Sequence, residues 1–539
     1  MGYAHTYATA IMHRGRIPME PANFVPNWPD RPRKAKYYPG TEAFPLPEGP
    51  YPTQATVMAG CLPGAGPGDV NHFTLPVLAG MLQDSYGLSG RRLGIQANTD
   101  LAALPHYTHA NWSRGTASGG GLYPVTVYWA AGASGPFVPG VYHYSPLQHS
   151  MQRLLAGDVT GEVRAALGEA PPADSTEASP AFDQYLILGV KYWQNSFKYN
   201  SFSFHAVSMD VGALLQTWHM WARARGMEIA PVLWFDEQRL TELLGLDAQE
   251  EGLFAVVPLR WATPPPAALG GPSRSAAPRV RRKDRERSRT VIGFDTLHRI
   301  HRATMSQTAD RPAPGALDAC VPGPLPEGLE DTLALPSAVF PPTSVRTALR
   351  ARRSSFGRFD ASVPTTAGQL AATLAACAAT RLRTDAEPES SSGLSRLYTF
   401  VNHVEDIEAG VYAYEAETHT LRLLSRNPPG SFLQRNYFLS NYNLEQTGAV
   451  IVPTLRTTAV LDAVGDRGYR LVNATIGAIA QTFYTAASTL GLGAGVALGF
   501  DNVSFVEELG LDGTGEAPLL IMLLGNERAQ SADFLSEIV

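Results

Sequence analysis

Apolar positions repeat with two periods along this chain, and the changes of period mark its elements. Over Phe73 to Tyr86 the apolar residues fall at helical spacing, which predicts a first helix. A glycine-rich turn, Arg114 to Gly121, then leads into LYPVTVYWAA, where β-branched and aromatic residues alternate as in a strand. GVYHYSPLQHSMQRLL (140–155) reads as a hairpin, and 156–185 as loop and short helix. From Val207 to Arg225 the apolar residues 207, 211, 214, 215, 218, 221 and 222 form a broad helical face, and Gly226 stands where a left-handed C-cap belongs. A helix and a strand follow, ending near Leu259. Residues 1–56, rich in Pro, Tyr and Asn with little period of either kind, read as an extended arm.

The second half repeats this pattern. At a constant offset of 265, residues 198–259 lie over 463–524 without a gap, and 17 of the 62 pairs are identical, among them Gly212/Gly477, Gln216/Gln481 and Gly226/Gly491. The hairpin recurs as GVYAYEAETHTLRLL (410–424) at an offset of 270. A period this long means two copies of one domain: an arm (1–56), a first domain (57–260), a linker (261–290) and a second domain (291–539). The linker is Pro, Ala, Gly and Ser followed by alternating charge, which reads as a solvated tether. The second copy opens with its own Pro-rich arm, then SVRTALRARRSSFGRFD and QLAATLAACAA, a basic junction between helices. The copies diverge at the start of the repeat, with Lys198-Tyr199 against Ala463-Val464.

Composition narrows the function classes. A net charge of -6 with 17% charged residues gives no electrostatic footprint for nucleic acid. Three cysteines without metal-type spacing argue against a disulfide framework and a zinc site, and fit a reducing, cytoplasmic setting. No stretch approaches membrane-spanning length. Cys61, His205 and His219 read as structural; Trp218 and Trp221 read as core or interface, with the wall of a substrate pocket as the alternative. Gln216 and Gln481 fit either a ligand contact or a buried helix interface.

RGTASGGGLYP, the GVYxY hairpin, the Lys-Tyr pair ahead of a glutamine-bearing helix, RRSSFGRF and GLGAGVALGF occur in one order. That ordered set resembles the nitroreductase-like flavoproteins, and more narrowly the SagB-type azoline dehydrogenases of thiazole/oxazole-modified peptide pathways. The resemblance implies an α+β fold, two tandem domains forming an intramolecular pseudo-dimer, and FMN at the interface. One site would combine Arg114, Ser118, Gly119, Gly120 and Tyr123 of the first copy with Arg352, Arg353, Ser354, Gly491 and Gly493 of the second. Guanidinium forks and backbone N–H groups suit a phosphate, and Arg528 is a further candidate for it. The other interface would join Ser391, Ser392 and Gly393 to 58–69 and 226–231. It lacks the arginines, the glycines and the Lys-Tyr pair, so one FMN per chain is expected.

The same resemblance makes Lys198 and Tyr199 the catalytic pair. Aromatising an azoline removes a hydride, which a flavin accepts, and a proton, which needs a base; a lysine serves only where its pKa is lowered. Lys198 as base, with Tyr199 positioning the ring or relaying the proton, is the expected division. The implied substrate is an azoline-containing precursor peptide, the partner a cyclodehydratase and the electron acceptor dioxygen. The rival readings are an NAD(P)H-dependent nitro or quinone reductase and a non-catalytic subunit of a biosynthetic complex.

Overall fold

The computed structural model describes residues 2–64, 71–93, 110–169, 182–264, 278–325, 331–388, 393–529 and 534–538. Its strand-period stretches pair into sheets. In chain order the strands are β1 Ala43–Pro45, β2 Gly90–Leu93, β3 Ala110–Ser113, β4 Val125–Ala131, β5 Gly140–Ser145, β6 Ser150–Ala156, β7 Gln184–Lys191 and β8 Glu251–Pro258. The second half adds β9 Thr332–Ala334, β10 Ser395–Val401, β11 Gly410–Glu415, β12 Thr420–Ser425, β13 Ala449–Leu455, β14 Gly493–Ala497, β15 Ala517–Pro518, β16 Ile521–Gly525 and β17 Leu535–Glu537.

One sheet runs β1-β6-β5-β4-β7-β8, and a second runs β9-β12-β11-β10-β13-β16-β14 with β15 also on β13. The first six strands of the second sheet thus follow the order of the first. All pairings in both are antiparallel. Every residue of β4, β13 and β16 is buried, which is why these strands are apolar throughout instead of alternating. With helices against the sheets, the fold class is α+β, as expected.

The repeat extends to single hydrogen bonds. In the hairpins, Tyr144 Oη meets His149 Nδ1 at 3.0 Å and Tyr414 Oη meets His419 Nδ1 at 2.7 Å, with both histidines at positive φ (45° and 54°). Tyr128 Oη donates to Glu251 (2.8 Å), and Tyr398 Oη to Glu516 (3.2 Å). Between the sheets the helices Ser203–Arg223 and Gly468–Thr489 pack against each other at Gly212 and Gly477. Gln216 donates to Thr482 Oγ1 across this crossing (3.0 Å). The third, small sheet, β17-β2-β3, carries the end of the chain back onto the first half.

Three expectations are corrected. Residues 1–56 are not all extended, because Tyr3–His13 is a helix burying Ala4, Tyr7 and Ile11. Its first turn is capped from a distance, Tyr3 N and Ala4 N donating to the Asp466 carboxylate (3.1 and 3.2 Å), so nothing local announces it. The second Pro-rich arm likewise contains the helix Asp295–Thr304, which buries Leu297, Ile300 and His301. The charged stretch after 278 is not a solvated tether: Val280 is buried, and Asp284 and Glu286 both pair with Lys191 Nζ at 2.5 Å. Tyr37 N also donates to Asp284 (2.7 Å), which ties the arm to the same place. The span 156–185, expected as loop and short helix, holds the helix Thr160–Ala166 and ends where β7 begins, at Gln184.

Cys61, Cys320 and Cys377 are free and buried. Among the described residues no acidic, His or Cys cluster could hold a metal, and no helix is long and apolar enough to cross a membrane.

Candidate active site

The glycine-rich turn follows β3 and is fastened to both central helices. A Cβ on Gly115 would collide with Asp84 O, so the chain passes that point only as glycine. Ala117 N donates to Gln481 Oε1 on the second helix (2.8 Å). Ser118 Oγ and Gly119 N donate to Asp210 Oδ2 and Oδ1 on the first (2.6 and 2.8 Å). Tyr123 N in turn donates to Ser118 Oγ (2.9 Å). Gly120, Gly121 and Tyr123 have positive φ (62°, 62° and 52°), which glycine adopts without strain and tyrosine does not.

Lys198 and Tyr199 end the short helix Trp193–Tyr199, which breaks at Asn200 with φ of 43°. Both are half-buried, and both lie on the glycine loop. A Cβ on Gly120 would fall 2.6 Å from Tyr199 Oη and 2.9 Å from Lys198 Nζ, so any larger residue there would displace the tips of the pair. Lys198 Nζ sits 4.8 Å from the centre of the Tyr199 ring and 5.9 Å from that of Trp28. Lys34 is close by: burial, then the positive charges of Arg114, Arg31 and Lys198, lower its pKa.

The second half reaches this loop through Arg352, whose guanidinium donates to Gly115 O (2.8 Å) and Arg114 O (3.1 Å). Ser354 Oγ lies 2.8 Å from Tyr484 Oη. Ser355, next along, holds the segment on β14 by donating from its N to Ala494 O and accepting at Oγ from Ala494 N, both 2.8 Å. Arg353 is only partly exposed and forks onto Glu527 (3.0 and 2.5 Å), which Arg358 also approaches at 3.3 Å. Gly493 packs on Glu527 and Ser355, whereas a Cβ on Gly491 (φ 72°) or Gly121 would meet nothing within 4 Å. Those two glycines border open space.

The structure therefore brings together Ser118, Gly119, Gly120, Lys198, Tyr199 and Arg352, and places Ser354, Gly491 and Gly493 on the adjoining edge of the second half. Three of the expected basic contacts are engaged elsewhere. The Arg114 guanidinium is 2% exposed, stacked 4.5 Å from the Tyr86 ring centre and 4.3 Å from that of Tyr123. Its Nη2 donates to Lys34 O and its Nη1 has no hydrogen-bond partner. Arg352 is spent on backbone carbonyls. Arg528 Nε donates to Phe359 O (3.0 Å). Arg353 is thus the guanidinium of this set best placed to take a phosphate, in exchange for Glu527.

Gln216 and Gln481 both lie in the helix interface, the latter also holding the loop. His205 Nδ1 meets Tyr469 Oη (2.8 Å), Trp218 and Trp221 donate to Ser85 and Asp84, and Cys61 lies on Met220, all structural roles as expected. Sequence reading missed Asp210 and Glu527. Asp210 carries a signal in the repeat, being a carboxylate in an apolar helix opposite Thr475. At the second interface Ser391 and Ser392 lie outside the described residues. There Asp385 of the second half accepts from Leu233 N and Trp234 N of the first (2.7 and 3.1 Å).

Residues 349–526 match the Nitroreductase family. A candidate nitroreductase of Methanocaldococcus jannaschii is 32% identical over 140 residues, 24% of this chain, and the chain spans 64% of that relative's length. Among solved structures, a candidate nitroreductase from Anabaena variabilis superposes with a TM-score of 0.69 at 21% identity, covering 98% of this chain and 100% of its own. A chain of the E. coli microcin synthetase McbBCD complex gives a TM-score of 0.28 at 18% identity, over 33% of this chain and 69% of its own. The chain carries a nitroreductase-family domain at 349–526, within a fold shared over nearly its whole length with the Anabaena protein.

Proposed function

We propose that the protein is an FMN-dependent oxidoreductase that aromatises a thiazoline or oxazoline in a ribosomally made peptide. The observation that carries this reading is the Lys198-Tyr199 pair seated on Gly120, in the loop that Arg352 joins to the other half. The surroundings fit a flavin mononucleotide. Arg353 and Ser354 offer phosphate contacts, and the positions beside Gly121 and Gly491 are free of side chains. A flavin held there would supply the hydride acceptor. Lys198 Nζ, among the cations Lys34 and Arg114, is the group that takes the proton, and Tyr199 Oη beside it orients the ring or passes the proton on. The pair has no counterpart in the second half, where Ala463 and Val464 stand.

Flavin quantitation on pure protein tests the cofactor: one FMN per chain is expected, and a ratio near two overturns the single-site reading. Lys198→Ala and Tyr199→Phe, assayed on an azoline peptide, should keep the flavin and lose about 100-fold or more in turnover, the usual contribution of a positioned acid or base. Wild-type rates in both would end the assignment. The nitroreductase match favours one second reading, a nicotinamide-dependent nitro or quinone reductase. Bleaching of the flavin by NADPH without peptide would support it.

A further inference from the structure

We propose that Asp210 is the positioning residue of this site, its carboxylate fixing the Ser118–Gly121 backbone so that Gly120 presents an open face to Lys198 and Tyr199. This rests on the reading that the loop borders the reaction site. The geometry is a chain of three bonds. Asp210 Oδ1 accepts from Gly119 N and Oδ2 from Ser118 Oγ, and Ser118 Oγ accepts from Tyr123 N. It thereby spans the stretch of positive φ, beside the turn bonds from Gly121 N to Ser118 O (2.9 Å) and from Leu122 N to Gly119 O (3.4 Å). The next residue after the bonded Gly119 is the one that meets the Lys-Tyr pair, so a loosened bond moves the loop directly at the pair. The corresponding helix position in the second half is Thr475, and that half has lost both GGGLYP and the Lys-Tyr pair. The carboxylate is thus absent from the half that lacks the loop it holds.

Asp210 is 6% exposed, and its carboxylate makes no ion pair among the described residues. Burial pushes its carboxyl up to about 7, against the lowering effect of the Ser118 and Gly119 bonds. The titratable groups around it are Tyr86, with Tyr123 edge-on to that ring and the Arg114 guanidinium over both, and Lys198 and Tyr199 across Gly120. The ionised form accepts both bonds. Protonation removes one acceptor site and weakens the hold below neutral pH.

Hydrogen exchange at the Gly119 and Tyr123 amides of the purified full chain, with pH profiles of flavin absorbance and turnover, tests this. In Asp210→Ala the Gly119 amide should exchange about 10- to 100-fold faster, as loss of a hydrogen bond to a charged group implies. Asp210→Asn keeps an acceptor for Gly119 N and should keep most of its protection. Wild type and Asp210→Asn should match below about pH 6 and diverge above about pH 8, with the transition in turnover near neutrality absent from the Asn protein. Unchanged Gly119 exchange in Asp210→Ala, or the same pH profile in Asp210→Asn as in wild type, overturns the proposal. Should Asp210→Ala fail to fold, the Asn comparison still decides it. Wild-type protein that cannot bind flavin would instead defeat the functional reading, leaving the exchange result to stand or fall separately.

Discussion

Gly477→Ala is expected to destabilise the protein by about 3 kcal/mol or more, and Gly477→Val to leave no soluble protein, because the position has no room for even one methyl group. The two central helices cross with their backbones in contact. A Cβ on Gly477 would be driven into the carbonyl of Met209, and a Cβ on Gly212 into the carbonyl of Ala474. Backbone cannot rotate aside as a side chain can. Residues 209 and 474, like 212 and 477, are partners in the 265-residue offset, so the same contact is made twice about an approximate twofold relation. Gly212→Ala should therefore cost about as much as Gly477→Ala, while the double variant should cost clearly less than their sum, since separating the helices once relieves both clashes. Denaturant midpoints for the three variants check this. A Gly477→Ala protein within about 0.5 kcal/mol of wild type would show that the helices do not meet this closely.

These glycines show how far the sequence can be read. The gapless repeat paired Gly212 with Gly477 and Gln216 with Gln481, and those pairs form the interface. The hairpins were legible because their side chains alternate locally, down to the tyrosine of GVYxY. Contacts made between segments far apart in the chain were not. Asp466 caps the helix of Tyr3, Arg353 turns to Glu527, and Asp284 draws a charged tether onto Lys191. Arg114 shows the limit most plainly. An arginine beside a glycine loop suggests a phosphate ligand, yet Tyr86 and Tyr123 supply a corner of two perpendicular rings in which its charge is buried. Which neighbour an arginine finds depends on rings that the local pattern does not associate with it.

Glu237→Ala should cost about 3–5 kcal/mol, as expected when one member of a buried ionic cluster is removed and the rest stay charged. Glu237 is fully buried at the start of the helix Glu237–Leu243, and its carboxylate pairs with Arg467 and with Arg470 Nη1 (3.0 Å) on the second central helix. Arg470 also donates to Leu253 O of β8 (2.6 Å) and to Thr304 Oγ1 (2.9 Å) at the end of the helix Asp295–Thr304. One carboxylate therefore joins the first sheet, the segment between the halves and the second central helix. Burial alone would raise its pKa; Arg470 and Arg467 outweigh that, and the net shift is downward. A carboxylate lowered in the folded state contributes stability above its unfolded value, near 4.5, and loses it as pH falls through the folded one. The gap in melting temperature between wild type and Glu237→Ala should accordingly be large at pH 7 and narrow progressively below pH 4.5. A gap that stayed constant into acid would mean that Glu237 acts through packing and not through its charge. The opposite side of the molecule offers the control. There Asn502 and His205 replace Glu237 and Arg470 in the repeat, and Arg14 donates to Asn502 Oδ1 (2.9 Å) from the first helix. With a neutral acceptor, Asn502→Ala should cost less and show no such narrowing in acid.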